Sequence, residues 1–476
     1  MRIRTILLIV FLLIFTNLVT FMGASAFMED NTQSQVKENA DIFEEFDSEG
    51  DLELLEDVLG ILENKYLEEV DRGELMEGAL EGMLETLDDP QTNYLTPRDY
   101  QDLMVRTEGS YGGIGIEVFM DEDYVTIVAP ISGTPGEEKG LRSGDRIISI
   151  DGDDIVGIDL QDAVDKMRGE PGSTVEIEIE RPGLDENMEF EITRQDIEIE
   201  TVNHEMKEND LGYIEITNFS QTTGEEFSEA ITELEQGDME GLVLDLRDNP
   251  GGLLNAAIEV GQEIVPAGPI VHVVGRQDTL ETHESFGDGV DYPMVVLVNQ
   301  NSASASEILA GALQDTETAT IAGSTTFGKA SVQNVEPLAH GGALQYTMAK
   351  YQTPDGRDIH EEGLNPDVEI DPPKILELTR QPISTDLSMG DEGEEVETLQ
   401  SILKELDYFT EEVTGEFDEH TRDALEKFQQ ARGISATGEM EDMVIREFHD
   451  MIEEYLEEDD EKLERGLEIL LEKVTE

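Results

Sequence analysis

The stretch NQNSASASEILAGALQD, residues 299–315, sets Ser302, Ser304 and Ser306 where the apolar run PMVVLV gives way to a helical pattern. Hydroxyl groups there lie beside backbone N–H groups that lack intrahelical partners, and such groups stabilise developing negative charge. The setting suits a nucleophile. It suits an ordinary N-cap serine equally well, which is worth about 1 kcal/mol to a helix and carries no chemistry. A nucleophilic serine also needs a group to take its proton. The next segment, TATIAGSTTFGKASVQNVEPL, offers Lys329 in an apolar and hydroxyl-rich neighbourhood. A lysine buried beside a serine has its pKa lowered by desolvation and can act as general base. The alternative is a solvated surface lysine, the usual fate of the residue.

Two further pieces fit this chemistry. On a strand of period two, Gln333 falls on the same face as Lys329, and its amide could orient the amine. In LVLDLRDNPGGLL an apolar strand ends in the turn Asp248-Asn249-Pro250-Gly251-Gly252, whose glycines let backbone N–H groups approach a ligand closely. Those of Gly251 and Gly252, together with that of Ala305, are candidate oxyanion donors. The alternative is a plain strand-to-helix turn. Other chemistries lack their residues. There is no cysteine, no G-x-S-x-G elbow, no H-E-x-x-H and no dinucleotide fingerprint after a strand. GSTTFGKA departs from a nucleotide-binding loop at Ala330, where a magnesium-binding Ser or Thr is needed. No metal or cofactor is called for. The seven histidines are scattered, and the sequence pairs none with the serine-bearing turn.

Elements must hold these residues. From 211 to 372, GYIEIT, GLVLDL, PIVHVV and PMVVLV read as buried strands, with GEEFSEAITEL, LNAAIEVGQEI and SASEILAGALQ as helices between them. That alternation predicts parallel βαβ units. Residues 107–195 change character to short β runs (YVTIVA, RIISI, TVEIEIE, EFEITR) between glycine-bearing turns, with one helical piece at Leu160–Met167. The expected organisation is a leader at 1–27, an acidic linker at 28–50, a helical region at 51–105, a β-rich domain at 106–196 and an α/β core at 197–372. A linker at 373–385, a small helical domain at 386–450 and a charged helix at 451–476 follow. That last helix is amphipathic, with apolar Leu463, Leu467, Leu470 and Leu471, and reads as either docked or solvated.

The charge balance is extreme, with 112 acidic against 30 basic residues and a net charge of -82. Such a chain repels phosphates, which argues against nucleic-acid partners. Because the acids are spread along the whole chain, adaptation of the surface to high salt is the preferred reading over a partner-selecting patch. At the amino terminus Arg2 and Arg4 precede an apolar run, Ile6–Met22, followed by Ala24-Ser25-Ala26. The pattern directs the remaining chain across the cytoplasmic membrane, either as a cleaved signal or as a retained anchor through residues 6–22.

GLVLDLRDNPGGLL, NSASASEILAGALQD, TTFGKASVQ and YQTPDGRDIHEEGLNPDVEI, in this order, resemble the carboxy-terminal processing (tail-specific) proteases over about residues 55–375. The resemblance implies a crotonase-like α/β core with Ser304 as nucleophile, Lys329 as base and Gln333 as orienter, leaving Ser302 and Ser306 as supporting residues. GSYGGIGIEV and GLRSGDRIISIDG resemble a PDZ domain of β-sandwich-like fold. There Gly112, Gly113, Ile114 and Gly115 are candidates to capture a substrate's terminal carboxylate while the peptide adds as a strand. Arg168 is a candidate sensor of the bound terminus, or a surface arginine. Residues 386–450 resemble a three-helix peptidoglycan-binding domain through Met389-Gly390, Leu399-Gln400, Gly415, Phe417-Asp418 and Phe428-Gln429. The implied partners are protein C-termini and peptidoglycan, with the membrane added if the leader is retained and self-association left open. Two other readings stay open. One is a signalling protease with a single dedicated substrate, as in sporulation. The other is a non-catalytic PDZ and cell-wall adaptor.

Overall fold

A computed structural model describes residues 48–476, except 185, 279, 340, 371–374, 376–377, 379–386, 442, 449, 452–459 and 476. The leader at 1–27 and nearly all of the acidic linker lie outside the described residues. Among these, no helix is long and apolar enough to cross a membrane. The chain forms two compact units, one ending at Asp88 and one beginning at Asp89. In the first, helices α1 (Ser48–Lys65) and α2 (Arg72–Glu85) are joined by Arg72, which bonds Glu63 and Glu56 across the turn. Asp71 caps α2 by accepting from the Glu74 N–H.

The second unit starts with β1 (Asn93–Leu95) and α3 (Pro97–Glu108), which begins on a Thr96/Asp99 capping box with Pro97 at its first position. A two-stranded ribbon follows, β2 (Ser110–Gly113) with β9 (Gln195–Glu198), which brackets in sequence the sheet of the β-rich domain. That sheet runs β3 (Ile116–Asp121), β4 (Tyr124–Pro130), β5 (Arg146–Ile150), β7 (Thr174–Glu180), β8 (Met188–Thr193), with β6 (Asp153–Asp154) on β5. The short helices α4 (Pro135–Lys139) and α5 (Leu160–Met167) complete it. TVEIEIE alternates because its period of two sends Val175, Ile177 and Ile179 into the core and the acids out.

The α/β core holds a six-stranded sheet in the order β10 (Val202–Met206), β11 (Leu211–Ile216), β12 (Gly241–Asp245), β15 (Met294–Val298), β16 (Thr320–Gly323), β19 (Val368–Glu369). All neighbours are parallel except β10 with β11. Helices α6 (Thr223–Gln236), α7 (Leu254–Ile264) and α8 (Ala305–Asp315) cover one face. GLVLDL is apolar on both sides of its strand, save for Asp245, because both faces are buried: Leu242, Leu244 and Leu246 face these helices, whereas Val243 lies in a second apolar cluster on the other side.

PIVHVV departs from the expected parallel order. As β13 (Gly268–Gly275) it leaves the parallel sheet and pairs antiparallel with β14 (Leu280–Ser285) and β18 (Ala343–Gln352), beside β17 (Ser331–Pro337) and β1. Its side chains are mostly half-buried, as suits a strand covered fully on one face only. After β19 come α9 (Glu394–Glu405) and α10 (Glu419–Ala431) of the small helical unit, packed around Leu399, Leu403, Phe417, Leu425 and Phe428. Two buried glutamines clamp its turns in the same way. Gln400 accepts from the N–H of Thr414 and Gly415 and donates to Glu416 O, and Gln429 accepts from Gly438 N–H and donates to Glu439 O. The charged helix α11 (Glu461–Thr475) is docked. Ile469 and Leu470 bury themselves against Leu211, Val243, Val295 and Leu297 on the second face of the parallel sheet.

Candidate active site

β15 delivers the chain into Asn299–Ser304, and α8 begins at Ala305. The three serines separate at once. Ser302 and Ser306 are fully buried and committed to the backbone, Ser302 Oγ donating to Leu246 O at 2.7 Å and Ser306 Oγ to Asn249 O at 3.0 Å. They anchor this loop to the turn after β12. Ser304, half-buried at the helix N-cap, has φ 54° and ψ −111°. A non-glycine residue in such a conformation stores roughly 1–3 kcal/mol of strain, held in place by its surroundings. Gly251 (φ 103°) makes room for it, because a Cβ there would lie 2.8 Å from Ser304 Cβ and 3.0 Å from Ala305 N.

The residue that organises the site is Glu307, fully buried in the first turn of α8. Its Oε2 accepts from the N–H of Ser304 and of Lys329, both at 2.9 Å. The two backbone nitrogens are therefore no more than twice that distance apart. Its Oε1 accepts from Thr326 Oγ1 at 2.6 Å and Gly328 N–H at 2.7 Å. Tyr351 of β18 adds a second tie, its hydroxyl 2.7 Å from Lys329 O and 3.1 Å from Ser304 O. Burial, aided by the Glu307 charge, pushes the Tyr351 phenol well up and keeps it a donor. The spacing S-x-x-E at 304–307 is a capping-box signal in the sequence, but the reach of Glu307 to Lys329 and the whole role of Tyr351 belong to the fold.

Lys329 is half-buried. Burial pushes its ammonium below the ordinary lysine value, and the negative charge of Glu307 pulls the other way without overcoming it. Among the described residues no hydrogen bond or ion pair engages its Nζ, and none links it to Ser304 Oγ. The segment after β18 forms the floor beneath it. Glu361 N–H donates to Gly328 O at 2.8 Å, and a Cβ on Gly328 would lie 2.9 Å from Gly363 N.

Gln333 lies on β17, which starts at Ser331; the register shift between Val332 and Gln333 leaves Met348 of β18 unpaired, and the Gln333 amide donates to Ser331 Oγ at 2.8 Å. One expectation needs correction: the Gly251 N–H is not available as an oxyanion donor, since it donates to Asn249 Oδ1 at 2.9 Å, while Asn249 is itself buried and bonded to Ile216 O. The N–H groups of Gly252 and Ala305 have no partner among the described residues. Gly252 must be glycine, because a Cβ there would lie 2.2 Å from Phe219 O.

In the β-rich domain, Gly112 and Gly113 are spent on the ribbon with β9, paired with Asp196 and Gln195, so they are not an open loop. Ile114 and Gly115 form the turn into β3, and their carbonyls are held by the N–H groups of Gly136 and Ile131. Arg168 ends α5. Its Nη1 donates to Asp102 Oδ1 of α3 at 3.0 Å, its guanidinium lies 5.0 Å from the Tyr111 ring centroid, and its Nε is buried without a partner among the described residues.

Comparison with known proteins places this arrangement. Residues 210–370 match the model of peptidase family S41, and 126–181 match a PDZ domain. Residues 13–98 match the N-terminal domain of the activating protease CtpB, and 392–446 a peptidoglycan binding domain. The carboxy-terminal processing protease CtpB of Bacillus subtilis (strain 168) is 35% identical over 432 residues, spanning 89% of this chain and 90% of that protein. The chain belongs to peptidase family S41. It is a carboxy-terminal processing serine protease with a PDZ domain. The carboxyl-terminal-processing protease of Synechocystis sp. is 41% identical over 304 residues, 62% of this chain and 71% of that protein. Among solved structures, the photosystem II D1 C-terminal processing protease is similar at 36% identity with a TM-score of 0.40, covering 65% of this chain and 85% of that one. The family matches and the described elements bear out the expected family and the mixed α/β multidomain fold.

Proposed function

We propose that this protease cleaves peptide bonds with Ser304 as nucleophile and Lys329 as general base. The observation that carries the reading is the buried Glu307 carboxylate, which accepts from the Ser304 and Lys329 N–H groups through one oxygen. Ser304 Oγ attacks the scissile carbonyl and its proton passes to Lys329 Nζ, which is neutral more readily than a free lysine because burial lowers its pKa. The N–H groups of Gly252 and Ala305 stabilise the oxyanion, the amine leaves with the proton, and water releases the acyl group. Gln333 supports the lysine once its amide turns from Ser331. The PDZ domain holds the substrate's C-terminus at Ile114 and Gly115 with an added strand along β3, and Arg168, over the Tyr111 ring of β2, reports occupancy.

The reading extends to place. The match to a peptidoglycan binding domain at 392–446 and the apolar run at residues 6–22 support an extracytoplasmic protease at the cell wall, held by the leader if it is retained. The surface acidity, with a net charge of -82, supports work in high salt. The test is cleavage of an unstructured protein whose C-terminus is either free or amidated. Ser304→Ala and Lys329→Ala should fold and lose cleavage, and amidation should slow the parent enzyme. Normal activity in Lys329→Ala would remove the lysine from the mechanism, and indifference to amidation would remove the PDZ role.

A further inference from the structure

The turn that shapes the site, residues 246–252, is held from two sides. Inward, Leu246 O and Asn249 O accept from Ser302 Oγ and Ser306 Oγ, and Asn249 O also from Ala303 N–H at 3.1 Å. The Asp248 carboxylate accepts from Asn299 Nδ2 at 3.0 Å and Asn301 Nδ2 at 2.7 Å. Every one of these bonds ends on the loop that carries Ser304 or on the first turn of α8 that follows it. Arg247, second in the turn, makes none of them. Its guanidinium faces the other way, Nε lying 2.9 Å from Asp245 Oδ1. Nη2 also donates to Asp245 Oδ2 at 2.5 Å, and Asp460 takes the outer side of the fork, with Nη1 donating to its Oδ1 at 2.6 Å and Nη2 to its Oδ2 at 2.5 Å.

Asp460 stands at the head of α11, 213 residues further along the chain. The helix is built to lie there. Gly466 lets it close on the sheet, since a Cβ would lie 2.9 Å from Leu297 Cδ2, and Gly241 does the same from the strand side against Leu470. The ion pair is bidentate and largely shielded, with the Arg247 side chain 15% exposed. Such geometry fixes orientation as well as contact.

We propose that Asp460 is a positioning residue for the hydrolytic reaction. By clasping Arg247 from outside, it holds the 246–252 turn in the one register that sets both Ser304 and the Gly252 N–H. In sequence the peptidoglycan-binding unit stands between β19 and this clasp, so the reacting geometry depends on a segment reached only after that unit. The proposal rests on the Ser304 reading above.

Asp460→Asn separates the roles of this residue. Asp460 also caps α11, accepting from the Leu463 N–H at 3.0 Å, and asparagine caps a helix as well as aspartate does. The variant thus removes the charge and keeps the cap. In the full chain, Asp460→Asn should lower kcat by about 10- to 100-fold, the scale of a small misplacement of reacting groups, and leave KM nearly unchanged. Leu470→Ala, which loosens α11 without touching the ion pair, should lose stability with a smaller loss of kcat. Amide hydrogen exchange across 246–252 and 299–305 should speed up in Asp460→Asn more than in Leu470→Ala. Unchanged kcat in Asp460→Asn, unchanged exchange in those segments, or equal kcat losses in the two variants would each overturn the clasp. If the parent enzyme shows no Ser304-dependent cleavage, the protease site is what fails, and the exchange comparison still decides the clasp.

Discussion

Replacing Glu307 by glutamine tests the centre of this site in two independent ways. The carboxylate accepts four hydrogen bonds of 2.9 Å or less, two on each oxygen: from Thr326 and Gly328 on one, and from Ser304 and Lys329 on the other, with the Tyr351 hydroxyl a longer 3.4 Å from the second. A glutamine amide of the same shape has one oxygen, so it keeps two of these bonds and turns an NH2 group towards the other two donors. Each buried donor left without an acceptor costs about 1–3 kcal/mol, so the protease core should lose roughly 2–6 kcal/mol. Typical domain stability is about 5–15 kcal/mol, so the variant should fold and unfold at clearly lower urea. The second effect is electrostatic. Glu307 is the charge that opposes the downward push of burial on Lys329. Removing it lets the lysine pKa fall further, so the pH at which activity rises should move down even as kcat drops. Urea denaturation of the core and a pH profile of kcat/KM measure the two. A stability loss under about 1 kcal/mol, together with a pH limb that stays or moves up, would refute the role assigned to Glu307.

Other outcomes follow from the same geometry. In the parent enzyme, kcat/KM should rise with pH as Lys329 loses its proton, with the midpoint below the ordinary lysine range because burial lowers it; a midpoint at the free-lysine value would exclude this residue as the base. Ser304→Gly should abolish cleavage yet stabilise the core by about 1 kcal/mol, since glycine relieves the strain at φ 54°, whereas Ser304→Ala should bring no such gain. Thermal unfolding should shift upward between low and multimolar salt, because a chain with net charge -82 repels itself until it is screened; a salt-independent midpoint would contradict the acidic-surface reading.

Much of the core could be read from local pattern. The buried strands declare themselves as apolar runs, and α8 by its start after Val298, because periodicity and helix-end chemistry are local properties. PIVHVV shows the limit. Its composition matches the parallel strands, but which sheet it joins is set by pairing with β18, about 80 residues away in register at Val273 and Tyr351.

By itself the sequence determined the family and the order of the matched domains, and offered Ser304 and Lys329 as candidates, because motif spacing and residue type survive without coordinates. It could not rank Ser304 above Ser302 and Ser306 on chemistry alone. The fold did that by committing the outer two to backbone carbonyls of a distant turn. The fold also spent the Gly251 N–H on Asn249, turned Gln333 towards Ser331, drew one buried carboxylate between Ser304 and Lys329, and brought Asp460 onto Arg247. Each of these depends on which groups are close in space, and hydrogen bonding and desolvation act through such closeness irrespective of separation along the chain.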